Sequence, residues 1–99
     1  MMDELFKITI LLKLLCGCTD YDIRGVKDTD YKIWACYLAK KLTNYSDNQL
    51  ASFFKIHPHY MNNGIEDLRL QLLLHDKYKI LMNRVEIAFN ELQEINKAA

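Results

Sequence analysis

Apolar residues recur at helical spacing along most of this chain, and few residues interrupt them. The first such repeat predicts a helix from about Asp3 to Leu15. Its inward positions are Leu5, Ile8, Leu12 and Leu15. The chain contains only three glycines and one proline, which leaves too few turn positions for an all-β fold. We therefore expect an all-α fold.

Further helices follow from the same period and from helix-start signals. A helix from about Asp28 to Thr43 shows an apolar stripe, and a last helix is expected from about Lys77 to Ile95. The stripe of the first of these helices is Tyr31, Ala35, Leu38 and Leu42. The inward residues of the last helix are Leu81, Val85, Ala88, Phe89 and Leu92. A short helical turn is expected at Thr19–Ile23. The chain thus predicts a compact bundle of five to six helices.

Two shorter helices are predicted between these long ones. Ser46 with Gln49 three residues later is typical of a capping box, and it predicts a helix ending near Phe54. Pro58 suits the first position of the next helix because that position needs no N–H donor, and His57 can cap it. Met61, Ile65, Leu68 and Leu72 then repeat to about His75.

Length, composition and charge limit the class of protein. The 99 residues, 51% of them hydrophobic, are enough for one core without metal or disulfide support. We therefore expect a single domain over residues 1–99. The 13 basic and 13 acidic residues give a net charge of zero. This balance argues against strong non-specific binding of nucleic acid, which depends on Lys and Arg neutralising phosphates.

The cysteines and the N-terminal residues predict a cytoplasmic protein with no membrane contact. Cys16, Cys18 and Cys36 are odd in number, and no secretory signal precedes them. The apolar stretch near the N-terminus is too short for a membrane span, and Lys7 and Lys13 interrupt it.

Residues 49–65 have the order of residue types that a helix-turn-helix needs. Ala51 is small and lets the second helix cross closely, Ile56 fills the turn, and Met61 with Ile65 packs inward. Lys55 occupies the turn position that is often glycine, so we expect it to need a positive φ. Any pair of helices joined by a tight turn could show the same order.

The outward face of the second of these helices carries the candidate binding residues. They are His57, His59, Tyr60, Asn62, Asn63 and Glu66. Asn can pair with adenine in the major groove, and His and Tyr can contact bases or phosphates. A solvated polar helix face would have the same composition. Residues 48–65 contain no acid, however, and the absence of like charge favours a surface that faces phosphate.

The run LAKKLTNYS at residues 38–46, followed by a short helix ending at Phe54, resembles a known family. It is similar to the C-terminal DNA-binding domain, a Trp-repressor-like helix-turn-helix, of the bacterial chromosomal replication initiator DnaA. In that family a run much like this one ends a helix before the short helix and the recognition helix. The order of helices also resembles the family across almost the whole chain. The resemblance implies a helix-turn-helix fold and a DNA-binding ancestry.

Three differences from the family limit which of its functions the resemblance implies for this chain. The family opens its recognition helix with a motif like GGRDHTTV, whereas this chain has the shorter KIHPHYM. The resemblance places His57, Pro58, His59 and Tyr60 where the family has its base-reading residues. The family's Arg-rich loop corresponds here to a segment with Arg24, Lys27 and Lys32. Asp28 and Asp30 in the same segment reduce its positive charge. No GxxxxGK[ST] motif occurs, so the ATPase module is absent and initiation of replication is not implied.

No other pattern points to a metal, a cofactor or an enzyme. Cys16, Cys18 and Cys36 have poor spacing for zinc, and His57 and His59 point to different faces of a helix. No histidine or carboxylate is identifiable as the partner of a cysteine nucleophile. We therefore expect no cofactor, no metal and no catalytic activity.

Two hypotheses for function remain. The first is a double-stranded DNA-binding domain related to replication or transcription, whose helix from Pro58 enters the major groove. Its candidate contacts are Lys55, His57, His59, Tyr60, Asn62 and Asn63, with Arg24, Lys27 and Lys32 on phosphates. The second is a DnaA-like domain that has lost DNA binding and serves as a protein-interaction module or homodimer. The apolar residues 70–74 would either be buried between helices or form its partner surface. The first hypothesis is our expectation.

Overall fold

The computed structural model describes residues 3–16 and 28–98, and these form an all-α bundle. Its five helices are α1 (Asp3–Cys16), α2 (Asp28–Leu42), α3 (Asp47–Phe54), α4 (Pro58–Leu74) and α5 (Asp76–Ala98). The predicted all-α fold is confirmed. The short turn expected at Thr19–Ile23 lies outside the described residues. None of the described helices has the length and apolarity needed to cross a membrane.

Helix α2 is the centre of the bundle, because it packs against all four other helices. The predicted stripe on this helix is part of a wider buried surface. Its buried residues are Ile33, Trp34, Ala35, Cys36, Leu38 and Ala39. Three of these side chains are small, so neighbouring helices can approach its axis closely.

Helices α1 and α5 cover one side of α2 and also pack on each other. The inward residues of α1 are Leu5, Ile8 and Leu12, which are fully buried. Those of α5 are Leu81, Val85 and Phe89. Both sets of buried residues match the apolar period of the sequence. The apolar pattern therefore predicts which face of α1 and which face of α5 packs inward.

Helix α3 begins at the capping box that the sequence predicts. The Ser46 hydroxyl accepts a hydrogen bond from the Gln49 amide N–H at 3.2 Å, and the Gln49 side-chain oxygen accepts one from the Ser46 N–H at 2.8 Å. Two of the free donors at the helix start are thereby satisfied. Leu50, Ala51 and Phe54 bury the inner face of this short helix.

The turn after α3 depends on one residue in a left-handed conformation. Lys55 has φ 57 and ψ 48, and the Ile56 N–H donates to the Ala51 carbonyl at 3.0 Å. The predicted positive φ is confirmed. A non-glycine residue in this region costs about 1 kcal/mol or more because its Cβ crowds the following carbonyl. The bend between α3 and α4 is therefore sharp and locally strained.

Helix α4 starts immediately after this bend. Pro58 is its first residue, and the His57 ring nitrogen Nδ1 accepts a hydrogen bond from the His59 N–H at 3.1 Å. The predicted cap is confirmed. The two helices are separate elements because Lys55, Ile56 and His57 are not helical.

The crossing of α4 over α2 requires a residue without a side chain. A Cβ atom on Gly64 would lie 2.7 Å from Ile33 Cδ1 and 3.0 Å from both Ile33 Cγ1 and Cγ2. The order of residue types predicted a close helix crossing at Ala51, which is buried. The α2–α4 crossing depends on Gly64, a residue that no periodic pattern identified.

Cys36 is a core residue rather than a reactive thiol. It is fully buried in α2. Its pKa is raised to about 12, chiefly by burial; the nearby charge of Lys40 lowers the pKa and that of Asp47 raises it, both by smaller amounts. The thiolate is the reactive form, so the folded protein keeps this sulfur unreactive at neutral pH.

Gly64→Ala should destabilise the fold by about 1 kcal/mol. The new methyl group meets both γ-carbons of Ile33, which a change of rotamer cannot move away together, and overpacking costs about 1–3 kcal/mol. The better helix propensity of alanine offsets about 1 kcal/mol of this. The exposed neighbour provides the control, since Asn63→Ala should be neutral or slightly stabilising. Urea unfolding followed by circular dichroism tests both, and equal stability of the two variants would contradict the tight crossing.

Cys36 should resist alkylation in the folded protein. At about pH 8 only about one molecule in ten thousand would carry the thiolate at this position, and burial also blocks access. Peptide mapping by mass spectrometry after iodoacetamide treatment measures the modified fraction. The same peptide should be fully modified after unfolding in urea. Equal modification rates in the two states would show that the thiol is accessible in the folded protein.

Candidate functional site

The first half of α4 presents a polar face to solvent. His57, His59, Tyr60 and Asn63 are exposed, whereas Met61 is buried. The first turn of this helix contains no acidic residue. Its free N–H groups and its dipole therefore add positive potential at the point where the candidate side chains project.

Two of these side chains contact each other. Asn63 Nδ2 and His59 Nε2 are 3.2 Å apart, one helical turn from each other. The His57 and His59 rings meet edge to face, with centroids 6.5 Å apart. The expectation that these two side chains point to different faces of a helix is wrong, because His57 precedes α4 and is not helical. The structure therefore brings His57, His59 and Asn63 together as a continuous set of hydrogen-bonding groups.

Asn62 has a different environment from Asn63. Its side-chain oxygen accepts a hydrogen bond from Lys40 Nζ at 3.2 Å, and its nitrogen lies 3.4 Å from Asp47 Oδ2. Lys40 and Asp47 also form an ion pair at 3.2 Å. The half-buried Asn62 amide thus links α4 to α2 and α3, and it would have to leave these partners to contact a ligand.

The candidate basic residues converge at the α3–α4 turn. Lys55 and Lys32 line one hollow of about 220 Å³ together with Lys13. Aromatic side chains form its other walls, among them Phe6, Tyr31, Phe53 and Phe54. Sequence reasoning missed Lys13 because only the packing of α1 beside α3 brings it here. Arg24 and Lys27 lie outside the described residues.

Acidic residues lie beside the candidate face, although residues 48–65 contain none. Asp30 of α2 and Asp67 of α4 line a hollow of about 630 Å³ together with Tyr60 and Asn63. Glu66, one turn after Asn63, pairs with Arg69 at 2.6 Å. The positive potential is therefore confined to the start of α4 and the turn before it.

The leucines at the end of α4 are exposed. Leu73 is 84% exposed, Leu74 64% and Leu70 51%. Of the two arrangements that the sequence allows for residues 70–74, burial between helices or partial exposure, the structure shows partial exposure, because Leu72 packs half-buried against the core. We call the three exposed leucines the leucine patch. Patches of this kind on a folded protein are typical of contact surfaces for other molecules.

The part of the chain that the structure describes contains no group of three His, Cys, Asp or Glu side chains arranged to hold a metal ion. Cys36 is buried in the core, away from the exposed face of α4. Cys18 lies outside the described residues. The arrangement at α4 can therefore donate and accept hydrogen bonds and attract anions, which is the chemistry of binding.

Comparison with protein-family models, with curated proteins and with solved structures found no match to this chain. The resemblance to the DnaA domain therefore rests on the LAKKLTNYS run and on the order of helices. In the structure this run ends α2 and caps α3. The hydroxyl of Tyr45 within it donates a hydrogen bond to Glu4 at 2.6 Å.

Proposed function

We propose that this chain binds double-stranded DNA through a helix-turn-helix formed by α3 and α4, with the first half of α4 in the major groove. The observation that carries the proposal is the bend at Lys55. It directs the inner face of α4 onto α2 through Met61 and Ile65, and it leaves His59 and Asn63 exposed. This division of faces is what a recognition helix needs.

The exposed residues supply the chemistry of groove recognition. The Asn63 amide has a donor and an acceptor that match the major-groove edge of adenine, and the rings of His57 and His59 can donate to base or phosphate oxygens. Tyr60 extends the same face, and Asn62 would join it after release from Lys40 and Asp47.

Phosphate binding in this proposal depends on few cations. Lys55 lies in the turn before α4 and shares a hollow with Lys32 of α2, and Arg24 and Lys27 would contribute from the segment before α2. Neutralising two to four phosphates gives a slope of log K against log salt of about −2 to −4. The neutral chain should therefore bind weakly to random DNA and rely on base contacts for affinity.

The resemblance to DnaA supports the same proposal from an independent direction. A DNA-binding ancestry is consistent with a non-catalytic bacterial protein of the cytoplasm that acts in replication or transcription. The shorter turn before α4 favours a binding site different from that of the replication initiator.

Lys55→Gln should weaken binding to every duplex, because it removes a phosphate contact. Asn63→Ala should instead reduce the preference among sequences by about 1–3 kcal/mol. Fluorescence anisotropy with a pool of random duplexes at low salt, followed by selection of the bound fraction, measures both effects. Lys79→Gln is the control, since Lys79 lies on α5 near the leucine patch. DNA binding is excluded if no duplex is retained at low salt, and the α4 site is wrong if the control weakens binding as much as Lys55→Gln.

The leucine patch favours a second candidate function, self-association. Beside the patch, a hollow of about 220 Å³ between α2, α4 and α5 is lined by Leu72, Leu73 and Met82 and also by Lys41, Lys79 and Glu86. A projecting leucine next to a partly apolar hollow can form a self-complementary two-fold contact. The net charge of zero also leaves little repulsion between copies.

Leu73→Gln should abolish such a dimer while the monomer stays folded, because this side chain is almost fully exposed. Sedimentation velocity at increasing protein concentration measures the association. Ile10→Gln on α1, where Ile10 is 55% exposed, removes a comparable exposed apolar group elsewhere and should leave the dimer intact. A monomer at all concentrations in the unmodified protein would rule out self-association.

A further inference from the structure

A hollow beside α4 has the size of a small-molecule site. It opens between α2, α4 and the start of α5, and its volume is about 630 Å³. Ligand pockets are about 300–1,000 Å³. Gly64 forms part of its wall, so the close crossing of α4 over α2 also shapes this space. We call it the acidic hollow, defined by Asp30, Asp67, Trp34, Tyr60 and Tyr78.

The charged side chains that line this hollow are acidic, although Lys77 Nζ lies 5.2 Å from the ring centroid of Tyr78, one of the lining residues. Asp30 and Asp67 approach it from two helices, and none of the residues that line it is basic. Neither carboxylate forms an ion pair with any residue that the structure describes. Two carboxylates facing one space attract a cation, and the partly enclosed walls strengthen that attraction relative to open water.

Aromatic rings provide the rest of the recognition surface. Trp34 and Tyr78 meet edge to face with centroids 5.6 Å apart, and the exposed ring of Tyr60 lies across the same hollow. A cation over the face of such a ring is attracted by about 0.5–2 kcal/mol. Tyr78 already makes one contact of this kind, since Lys77 Nζ lies 5.2 Å from its ring centroid.

We propose that the acidic hollow binds an organic cation, an alkylammonium or guanidinium group. The carboxylates supply the ion pair, and the Tyr60 and Tyr78 rings contact the apolar part and the charge of the ligand, while the Trp34 ring, which is only 8% exposed, forms part of the wall. A hydrated metal ion fits less well, because Mg²⁺ and Ca²⁺ need several oxygen ligands rather than aromatic walls. The ligand is either a free amine or an Arg or Lys side chain of another protein. The proposal goes beyond DNA binding and does not rest on it.

The single tryptophan of the chain makes the binding directly measurable. Trp34 lines the hollow, so its fluorescence should change as the site fills. We expect dissociation constants on the order of millimolar for small probes, because the site is open. Putrescine represents a free amine, and N-acetyl-arginine amide represents a protein side chain. N-acetyl-norleucine amide, which has similar length and no charge, is the neutral control at constant ionic strength.

Asp30→Asn and Asp67→Asn should each weaken binding of the tighter cation by about threefold to tenfold. Both side chains are exposed, so these variants should fold, which circular dichroism checks. Tyr60→Leu should also weaken binding, because it removes a ring but keeps an apolar group. Glu91→Gln removes a carboxylate on the exposed face of α5, outside the hollow, and should leave the constant unchanged.

Each result decides the proposal. A Trp34 response to either cation that is reduced in both Asp variants, but not in Glu91→Gln, supports it, and the tighter of the two probes identifies the source of the cation. The proposal is wrong if neither probe changes the fluorescence. It is equally wrong if the norleucine control binds as tightly, or if the Asp variants match the unmodified protein. Asp30→Asn and Asp67→Asn leave Lys55 and the start of α4 unchanged, so a failure of DNA binding would be seen separately from their effect. Tyr60→Leu also alters the candidate DNA-binding face, so it is used only in the cation titration.

Discussion

The burial of α2 is the constraint on which the rest of the bundle depends. This helix packs against each of the other described helices. The small side chains of Ala35, Cys36 and Ala39 allow those helices to approach its axis closely. Because α3 and α4 both pack on α2, the angle between them is set by tertiary packing as well as by the turn. The exposed face of α4 is therefore a consequence of the core, and a change in α2 would move the candidate site as a whole.

The second constraint is local and lies in residues 46–58. The capping box at Ser46 starts α3, the left-handed Lys55 ends it, and His57 with Pro58 starts α4. Each device satisfies backbone groups that would otherwise lack partners at a helix end. The glycine-free turn stores strain that a rigid bundle can sustain. It also places the Lys55 side chain next to the start of α4, where a glycine would offer no side chain.

Local patterns were enough to predict the helices, both caps and the conformation of Lys55, because each depends on residues close in sequence. Features that depend on packing between distant segments were not predictable. No sequence spacing places Lys13 beside Lys55, or Asp30 beside Tyr60. The acid-free stretch 48–65 indicated a surface free of carboxylates, but Asp30 of α2 and Asp67, further along α4, bring carboxylates to its flank. Asn62 and Asn63 likewise look equivalent in sequence, and only tertiary contacts distinguish them.

Tyr60 and Asn63 belong both to the exposed face of α4 and to the wall of the acidic hollow. Substitutions at these two positions are consequently pleiotropic, because one change alters two neighbouring surfaces of opposite charge. A phenotype at either position would be ambiguous between them. Genetic dissection of this protein has to begin with residues that belong to one surface alone, such as Lys55 on one side and Asp67 on the other.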